Sequence, residues 1–183
     1  VTTDGYVKII KANAWTTSSW HNSNVQVAWK AATLFGKLNG KGTEFTNFYG
    51  NLDTTYQDMI QEVDWKYGIT TKTSTFVGDT MYELESAFTS TVKAKVGLMY
   101  VYDYLYAYPG GNPGTAANNK KSWISISLAE WQLSNYSTTQ ARYVTANGDL
   151  TYESQSKSSY NVRPVMYLKL DVKYLSGDGT ETN

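Results

Sequence analysis

Two pairs of neighbouring carboxylates are candidates for acid–base chemistry in this sequence. Glu62 and Asp64 form one pair, and Glu83 and Glu85 form the other. Two carboxyl groups that flank a glycosidic bond can act as its general acid and base. Both pairs fall in segments predicted to be helical, however, and residues two apart on a helix face in different directions. We therefore expect these side chains to be solvated rather than to form a catalytic pair.

His21 is the single histidine in the chain, and cysteine is absent. The absence of cysteine excludes disulfides, thiolate catalysis and cysteine zinc sites. A zinc site would need His21 together with carboxylates, and a serine–histidine pair would need a G-x-S-x-G turn, which the sequence lacks. We expect no metal site, no cofactor and no catalytic residue, and thus a protein that is not an enzyme.

Tyrosine occupies every second position of the segment MYVYDYLYAY, which runs from Met99 to Tyr108. Side chains of a β-strand point alternately to opposite faces, so these tyrosines are predicted to form one aromatic row on a strand. Tyrosine offers broad apolar contact and a hydroxyl group, which suits both a recognition surface and the wall of a core. Both interpretations stay open for the row as a whole.

The recognition interpretation places the ligand at the end of the row, beside the glycine-rich loop 109–121. Tyrosine rings there would pack on sugar rings or on a partner chain, and asparagine side chains would supply hydrogen bonds. Trp20, in the polar segment TTSSWHNSN, would add an exposed ring or anchor the loop from beneath. The predicted ligand-binding residues are Tyr104, Tyr106, Tyr108, Asn112, Asn118 and Trp20.

Two further residues are predicted to be structural. Asp103 would point to the apolar side of the tyrosine strand, where a lone carboxylate requires a partner. Arg163 lies in a strand-like run predicted to be buried and is the expected partner. Trp131, in the run EWQLS, is predicted to lie in the core.

Charge and composition exclude several partner classes. The chain has 16 basic and 16 acidic residues, so no net positive field favours nucleic acid or an anionic membrane. No apolar run reaches the roughly 20 residues that a membrane-spanning helix needs. Charged residues make up 17% of the chain and aromatic residues 15%, and such an uncharged, aromatic-rich composition favours an extracellular location.

Periodicity predicts a strand followed by helices in the first half of the chain. The strand is predicted over Gly5–Ala12 and the first helix over Val25–Leu38, where apolar residues recur every three or four positions. Gly40 is expected to end that helix, as glycine often does. Further helices are predicted to begin at Asp53, which can cap free amide groups, and at Thr80.

The second half is predicted to be rich in strands. Short β-like runs follow one another as SWISIS, EWQLS, ARYVTA, DLTYE and YNVRPVMYLKL. Asn147 and Gly148 between two of these runs predict a tight hairpin turn. Helices in the first half and a mainly antiparallel sheet in the second indicate an α+β domain.

The second half contains four segments in the order VGLMYVYDYLYA, EWQLS, YVTANGDLTYE and YNVRPVMYLKLDVKYLSGDGT. These segments resemble motifs of a family of Gram-positive bacterial surface and pilin-like proteins. The family carries GLMYVSDYGYA, so Tyr102 replaces a common serine and Leu105 a common glycine, which lengthens the tyrosine row. The resemblance implies a C-type-lectin-like fold. It also implies that residues 1–183 form a single domain of a longer surface protein.

The resemblance further implies a non-catalytic domain at the extracellular cell surface. Such a domain would belong to an adhesin, a pilus or a surface filament and would bind or assemble through a neutral aromatic face. Its partner would be a host or cell-surface glycan, a protein, or a neighbouring subunit of a filament. A carbohydrate-binding, lectin-like module is the alternative. Enzymes with a related fold use a cysteine pair to bind copper, which this chain lacks, and calcium-binding lectin triads are absent too.

Overall fold

A computed structural model shows that the chain folds as an α+β protein with mainly antiparallel sheets. It describes residues 5–23, 25–40, 47–71, 76–107, 122–157 and 160–173. Within these ranges the chain forms four α-helices and eleven strands, together with two short 3-10 helices. None of these helices has the length and apolar character that crossing a membrane requires.

The first sheet joins the beginning of the described chain to its end. Strand β1 (Val7–Ile10) pairs antiparallel with β11 (Val165–Leu168). The strands β3 (Ile60–Gln61) and β6 (Val96–Gly97) also pair antiparallel with β11. The strand predicted over Gly5–Ala12 is confirmed in β1.

The second sheet has five strands in the order β2-β10-β7-β8-β9. Its strands are β2 (Thr16–Ser18), β7 (Glu130–Asn135), β8 (Gln140–Val144), β9 (Leu150–Ser154) and β10 (Tyr160–Val162). The pairing of β10 with β7 is parallel and the others are antiparallel. The hairpin predicted at Asn147 and Gly148 joins β8 to β9, and Gly148 has the positive φ of 89° that favours glycine.

A third, two-stranded sheet lies between the helices in sequence. It pairs β4 (Val63–Tyr67) with β5 (Ser90–Ala94). Gly97, just after it, approaches the buried Trp65 ring so closely that an added Cβ would lie 2.5 Å from a ring atom. The close approach brings the first and third sheets together around one indole.

The helices are α1 (Thr33–Asn39), α2 (Thr54–Met59), α3 (Gly78–Ser86) and α4 (Val101–Tyr106). Two of the predicted helix ends are confirmed. The Asp53 side chain caps α2 by accepting a hydrogen bond of 2.8 Å from the Thr55 amide. Gly40 ends α1 in a left-handed conformation with a φ of 74°.

The predicted segregation of helices from strands is wrong in detail, because strands β1 to β6 alternate with the helices before residue 100. The second helix, for example, stops at Met59. The chain then continues into two strands, whose β-branched residues Ile60 and Val63 had the spacing of a helical face. Short apolar runs of this kind do not distinguish helix from strand by periodicity alone.

Candidate binding surface

The tyrosine segment forms a helix over Val101–Tyr106, so the strand predicted for this part of Met99–Tyr108 is wrong. Helix α4 begins after Tyr100, and two carboxylates accept hydrogen bonds from the amide groups at its start. Asp103 accepts from the Tyr100 amide at 3.0 Å, while Glu85 of α3 accepts from the amides of Val101 and Tyr102 at 3.2 and 3.0 Å. Acceptors for these free amide groups favour a helix start over an extended strand.

The helix divides the tyrosines between two environments and removes the predicted row. Tyr100 and Tyr104 are buried, whereas Tyr102 and Tyr106, four residues apart, share the outer face of α4. Tyr106 is the most exposed of the four, at 51%. The ring of Tyr106 is therefore accessible to a ligand, as its predicted binding role requires. Tyr104 is only 1% exposed and cannot contact a ligand in this fold.

Trp20 is also placed in the core rather than at a surface. Its side chain is fully buried and its ring centroid lies 5.4 Å from that of Trp29. The indole N–H donates a hydrogen bond of 3.3 Å to the Gln132 carbonyl of β7. Trp20 thus anchors the polar segment that follows β2, and its predicted role as a ligand-binding residue is wrong. Tyr108, Asn112 and Asn118, the other predicted binding residues, lie outside the described residues.

An aromatic surface nevertheless exists where α3 and α4 meet. Tyr82 of α3 contacts Tyr102 edge-on with ring centroids 5.2 Å apart, and Tyr102 contacts Tyr106 at 6.3 Å. The Tyr106 hydroxyl donates a hydrogen bond of 2.6 Å to Asp79, which raises the pKa of Tyr106 to about 12. Tyr82 and Tyr106 are 47% and 51% exposed. We call Tyr82, Tyr102 and Tyr106 the tyrosine cluster.

Buried rings support the tyrosine cluster from behind. Tyr102 stacks on Tyr100 with centroids 5.1 Å apart and an interplanar angle of 10°. Tyr100 in turn stacks on Trp65, and its hydroxyl donates to the Lys66 carbonyl at 2.8 Å. The aromatic contacts therefore continue from the surface to the core, which restrains the exposed rings before any partner binds.

Lys8 of β1 lies among the inner rings. Its ammonium nitrogen is 4.8 Å from the Tyr100 ring centroid and 5.5 Å from those of Tyr102 and Tyr167, within the range of cation–π attraction. It also forms an ion pair with Asp103. Burial lowers the pKa of Lys8, but the charge of Asp103 and the Tyr167 hydroxyl more than offset this, so its pKa is raised. Lys8 is therefore a protonated structural link between β1 and α4.

The partner of Asp103 is thus Lys8, and the prediction that it pairs with Arg163 is wrong. Arg163 is buried as predicted, but its guanidinium binds both carboxylate oxygens of Glu130, at 2.6 and 2.8 Å. It also donates to the Ile124 carbonyl at 2.6 Å. Strand order explains the difference, because β10 runs beside β7 and places Arg163 next to Glu130.

Of the four carboxylates that form the two pairs in the sequence, three are exposed and one is buried. Glu62 and Asp64 are exposed on the strand segment around β3 and β4, and Glu83 is exposed on α3. Glu85 is buried, contrary to prediction, and burial raises its pKa to about 7 although three donors stabilise its ionised form. All three donors come from the fold itself: the amides of α4 and the Ser134 hydroxyl. The contacts of Glu85 therefore indicate that it stabilises the fold.

Trp123 is an exposed aromatic residue that the sequence interpretation missed. Its run SWISIS was predicted to be a strand, but it forms a turn in which Ser127 has a φ of 54°. Trp123 is 73% exposed and borders a cavity of about 140 Å³ next to Lys8 and Asp103. The signal available in the sequence was a tryptophan in a run that alternates with serines, SWISIS.

Metal-binding geometry is not found in the part of the chain that the structure describes: no three His, Cys, Asp or Glu side chains there come together. His21 is instead a local structural residue, since its Nδ1 lies 3.1 Å from the Thr33 amide and accepts its hydrogen bond. Burial lowers the pKa of His21, which favours the neutral ring.

Known proteins give no further guide to these surfaces. Comparison with protein-family models, curated proteins and solved structures finds no match to this chain. The family, fold relatives and function expected from the sequence motifs therefore stay predictions.

Proposed function

We propose that this chain is a non-catalytic, extracellular domain of a bacterial adhesin, pilus or surface filament, with a C-type-lectin-like fold. Its binding surface is the tyrosine cluster. The observation that carries this proposal is the pair of half-exposed rings, Tyr82 and Tyr106, which are held by aromatic contacts that reach the core. The partner is a neighbouring protein subunit.

Physical chemistry supports a binding role for such a surface. A tyrosine ring offers a large apolar contact area and loses few torsions when a partner orders it. Here the hydrogen bond from Tyr106 to Asp79 and the edge contact of Tyr82 already restrain the rings. Part of the entropic cost of binding is therefore met during folding, which favours affinity.

The double variant Tyr82→Ser/Tyr106→Ser is expected to weaken self-association of the protein at least about tenfold, since two central tyrosines contribute strongly to interfaces. Sedimentation over a wide range of protein concentrations measures this effect. Tyr56→Ser is the matched control, because Tyr56 on α2 is 61% exposed but lies outside the cluster. Its self-association should match that of the wild type. A protein that stays monomeric at every concentration contradicts binding to a second copy.

A carbohydrate ligand is the second candidate, and the acidic residues beside the cluster favour it. Asp79 accepts the hydrogen bond of Tyr106, and Glu83 of the same helix is exposed nearby. Two carboxylates therefore border the tyrosine cluster. A sugar could pack its C–H face on the rings and donate hydroxyl groups to these carboxylates, which are strong acceptors.

A glycan array with wild-type protein and with Tyr106→Ala tests the carbohydrate candidate. We expect saturable binding to at least one glycan, and a loss of that binding in the variant because the stacking ring is gone. Glu62→Gln serves as the control, since it removes an exposed carboxylate outside the cluster. An empty array from folded wild-type protein rejects a lectin role for the cluster.

A further inference from the structure

A second candidate site lies away from the tyrosine cluster, in a half-open cavity of about 280 Å³. Its walls are the segment 26–28, the end of β4 with Gly68 and Ile69, and Asn135 at the end of β7. None of its lining residues belongs to the tyrosine cluster. By the ~30 Å³ that a water molecule occupies in the liquid, the cavity has the volume of about nine waters. That volume suits one small ring-shaped ligand.

The described residues that line the cavity carry no charge. Gln26, Ser90 and Thr138 contribute polar side chains at the opening, while Ile69 contributes an exposed apolar one. A charged ligand would lose hydration here without gaining a counter-charge, which is strongly unfavourable. The lining therefore selects an uncharged molecule with both apolar and polar surface.

Asn135 lines the cavity and has a buried side-chain acceptor without a partner among the described residues. The residue is 5% exposed, and its Nδ2 donates to the Val27 carbonyl at 3.4 Å. Its Oδ1 has no partner within the described residues. Buried amide oxygens are nearly always hydrogen-bonded, so an unused one indicates a site where a donor from outside the chain belongs.

Gln155 repeats the same pattern beside Asn135. Its Nε2 donates to the same Val27 carbonyl at 3.5 Å and to the Thr138 carbonyl at 3.3 Å. Its Oε1 is buried and also lacks a partner among the described residues. Gln155 is fully buried and is not one of the residues that line the cavity, so Asn135 is the member of this pair that borders the ligand space.

We propose that this cavity binds a single uncharged, polyhydroxylated ring such as a neutral monosaccharide, with a ligand hydroxyl donating to Asn135 Oδ1. The apolar C–H groups of the ring would pack against Ile69, and its other hydroxyls would meet Ser90 and Thr138. The site is independent of the proposed function, because it would bind a ligand whether or not the tyrosine cluster does.

The test is a titration of the full chain, followed by the NMR shifts of its backbone amides. The probes are glucose, galactose, mannose and N-acetylglucosamine, with glucuronate as the charged counterpart. We expect saturable shifts around Gly68 and Asn135 with at least one neutral sugar and at least about tenfold weaker binding of glucuronate. Asn135→Ala should weaken binding of the neutral sugar at least about tenfold, equivalent to about 1.4 kcal/mol.

Ala28→Trp keeps the test decisive if Asn135→Ala does not fold. Ala28 is exposed and lines the cavity, so an indole there should block the opening while leaving the buried amides in place. Tyr82→Ser/Tyr106→Ser should leave sugar binding in the cavity unchanged, which separates this site from the tyrosine cluster. The proposal is overturned if no neutral sugar gives saturable shifts, if glucuronate binds equally well, or if binding survives Ala28→Trp.

Discussion

Replacing Glu130 with alanine is expected to lower the free energy of unfolding by about 3–5 kcal/mol, the cost typical of breaking a buried ion pair. Glu130 and Arg163 are both buried, and the carboxylate binds the guanidinium through two hydrogen bonds of 2.6 and 2.8 Å. In Glu130→Ala the guanidinium would stay buried, and among the described residues its remaining hydrogen-bond partner would be the Ile124 carbonyl. Chemical denaturation of wild type and variant measures the difference.

The double variant Glu130→Leu/Arg163→Met is the control for this prediction. It removes both charges and replaces them with apolar side chains, so no unpaired charge is left in the core. Such replacements often change stability little. We therefore expect the free energy of unfolding to fall much less in the double variant than in Glu130→Ala alone. A loss below about 1 kcal/mol in Glu130→Ala, typical of an exposed pair, would contradict the assignment.

The position of Arg163 gives a physical explanation for the sequence Arg163-Pro164 within the run YNVRPVMYLKL. Strand β10 ends at Val162 in the five-stranded sheet, and β11 begins at Val165 in the other large sheet. Arg163 and Pro164 are thus the two residues through which the chain passes between sheets. Proline suits this crossing, because it lacks the amide proton that a ladder would use. Arg163 ties the crossing to β7 through Glu130.

Local signals allowed several parts of this fold to be predicted from the sequence. The cap at Asp53, the left-handed Gly40 and the hairpin at Gly148 each depend on residues within a few positions of the feature. The burial of Trp131 was also predicted correctly. Its indole N–H donates a hydrogen bond of 2.8 Å to the Ser18 carbonyl, a contact that no local pattern could specify.

The tyrosine segment shows why the candidate site was predicted less well. Alternation of tyrosine favoured a strand, yet a helix forms because Asp103 and Glu85 accept hydrogen bonds from its first amide groups. Glu85 comes from a preceding helix, so its contribution depends on tertiary contact rather than on local sequence. The same tertiary packing brings Tyr82 to the cluster and buries Tyr104.

Glu85 is expected to make the stability of the protein depend on pH. Burial is the largest influence on this carboxyl and raises its pKa from 4.5 to about 7, although hydrogen bonds from Ser134, Tyr102 and Val101 favour the ionised form. Between these two pKa values the folded protein holds a proton that the unfolded chain has released. The stability contributed by Glu85 is therefore fully present below about pH 4.5 and is lost as the pH rises through about 7.

The Glu85→Gln variant isolates this effect. At about 1.4 kcal/mol per pKa unit, the wild-type free energy of unfolding should fall by about 3 kcal/mol relative to Glu85→Gln between about pH 4 and about pH 8. Glu83→Gln is the matched control, because Glu83 is exposed on the same helix and its replacement should give a nearly constant difference. Denaturation at a series of pH values measures both. A constant difference for Glu85→Gln, or one that grows in favour of the wild type with rising pH, would show that burial does not dominate at Glu85.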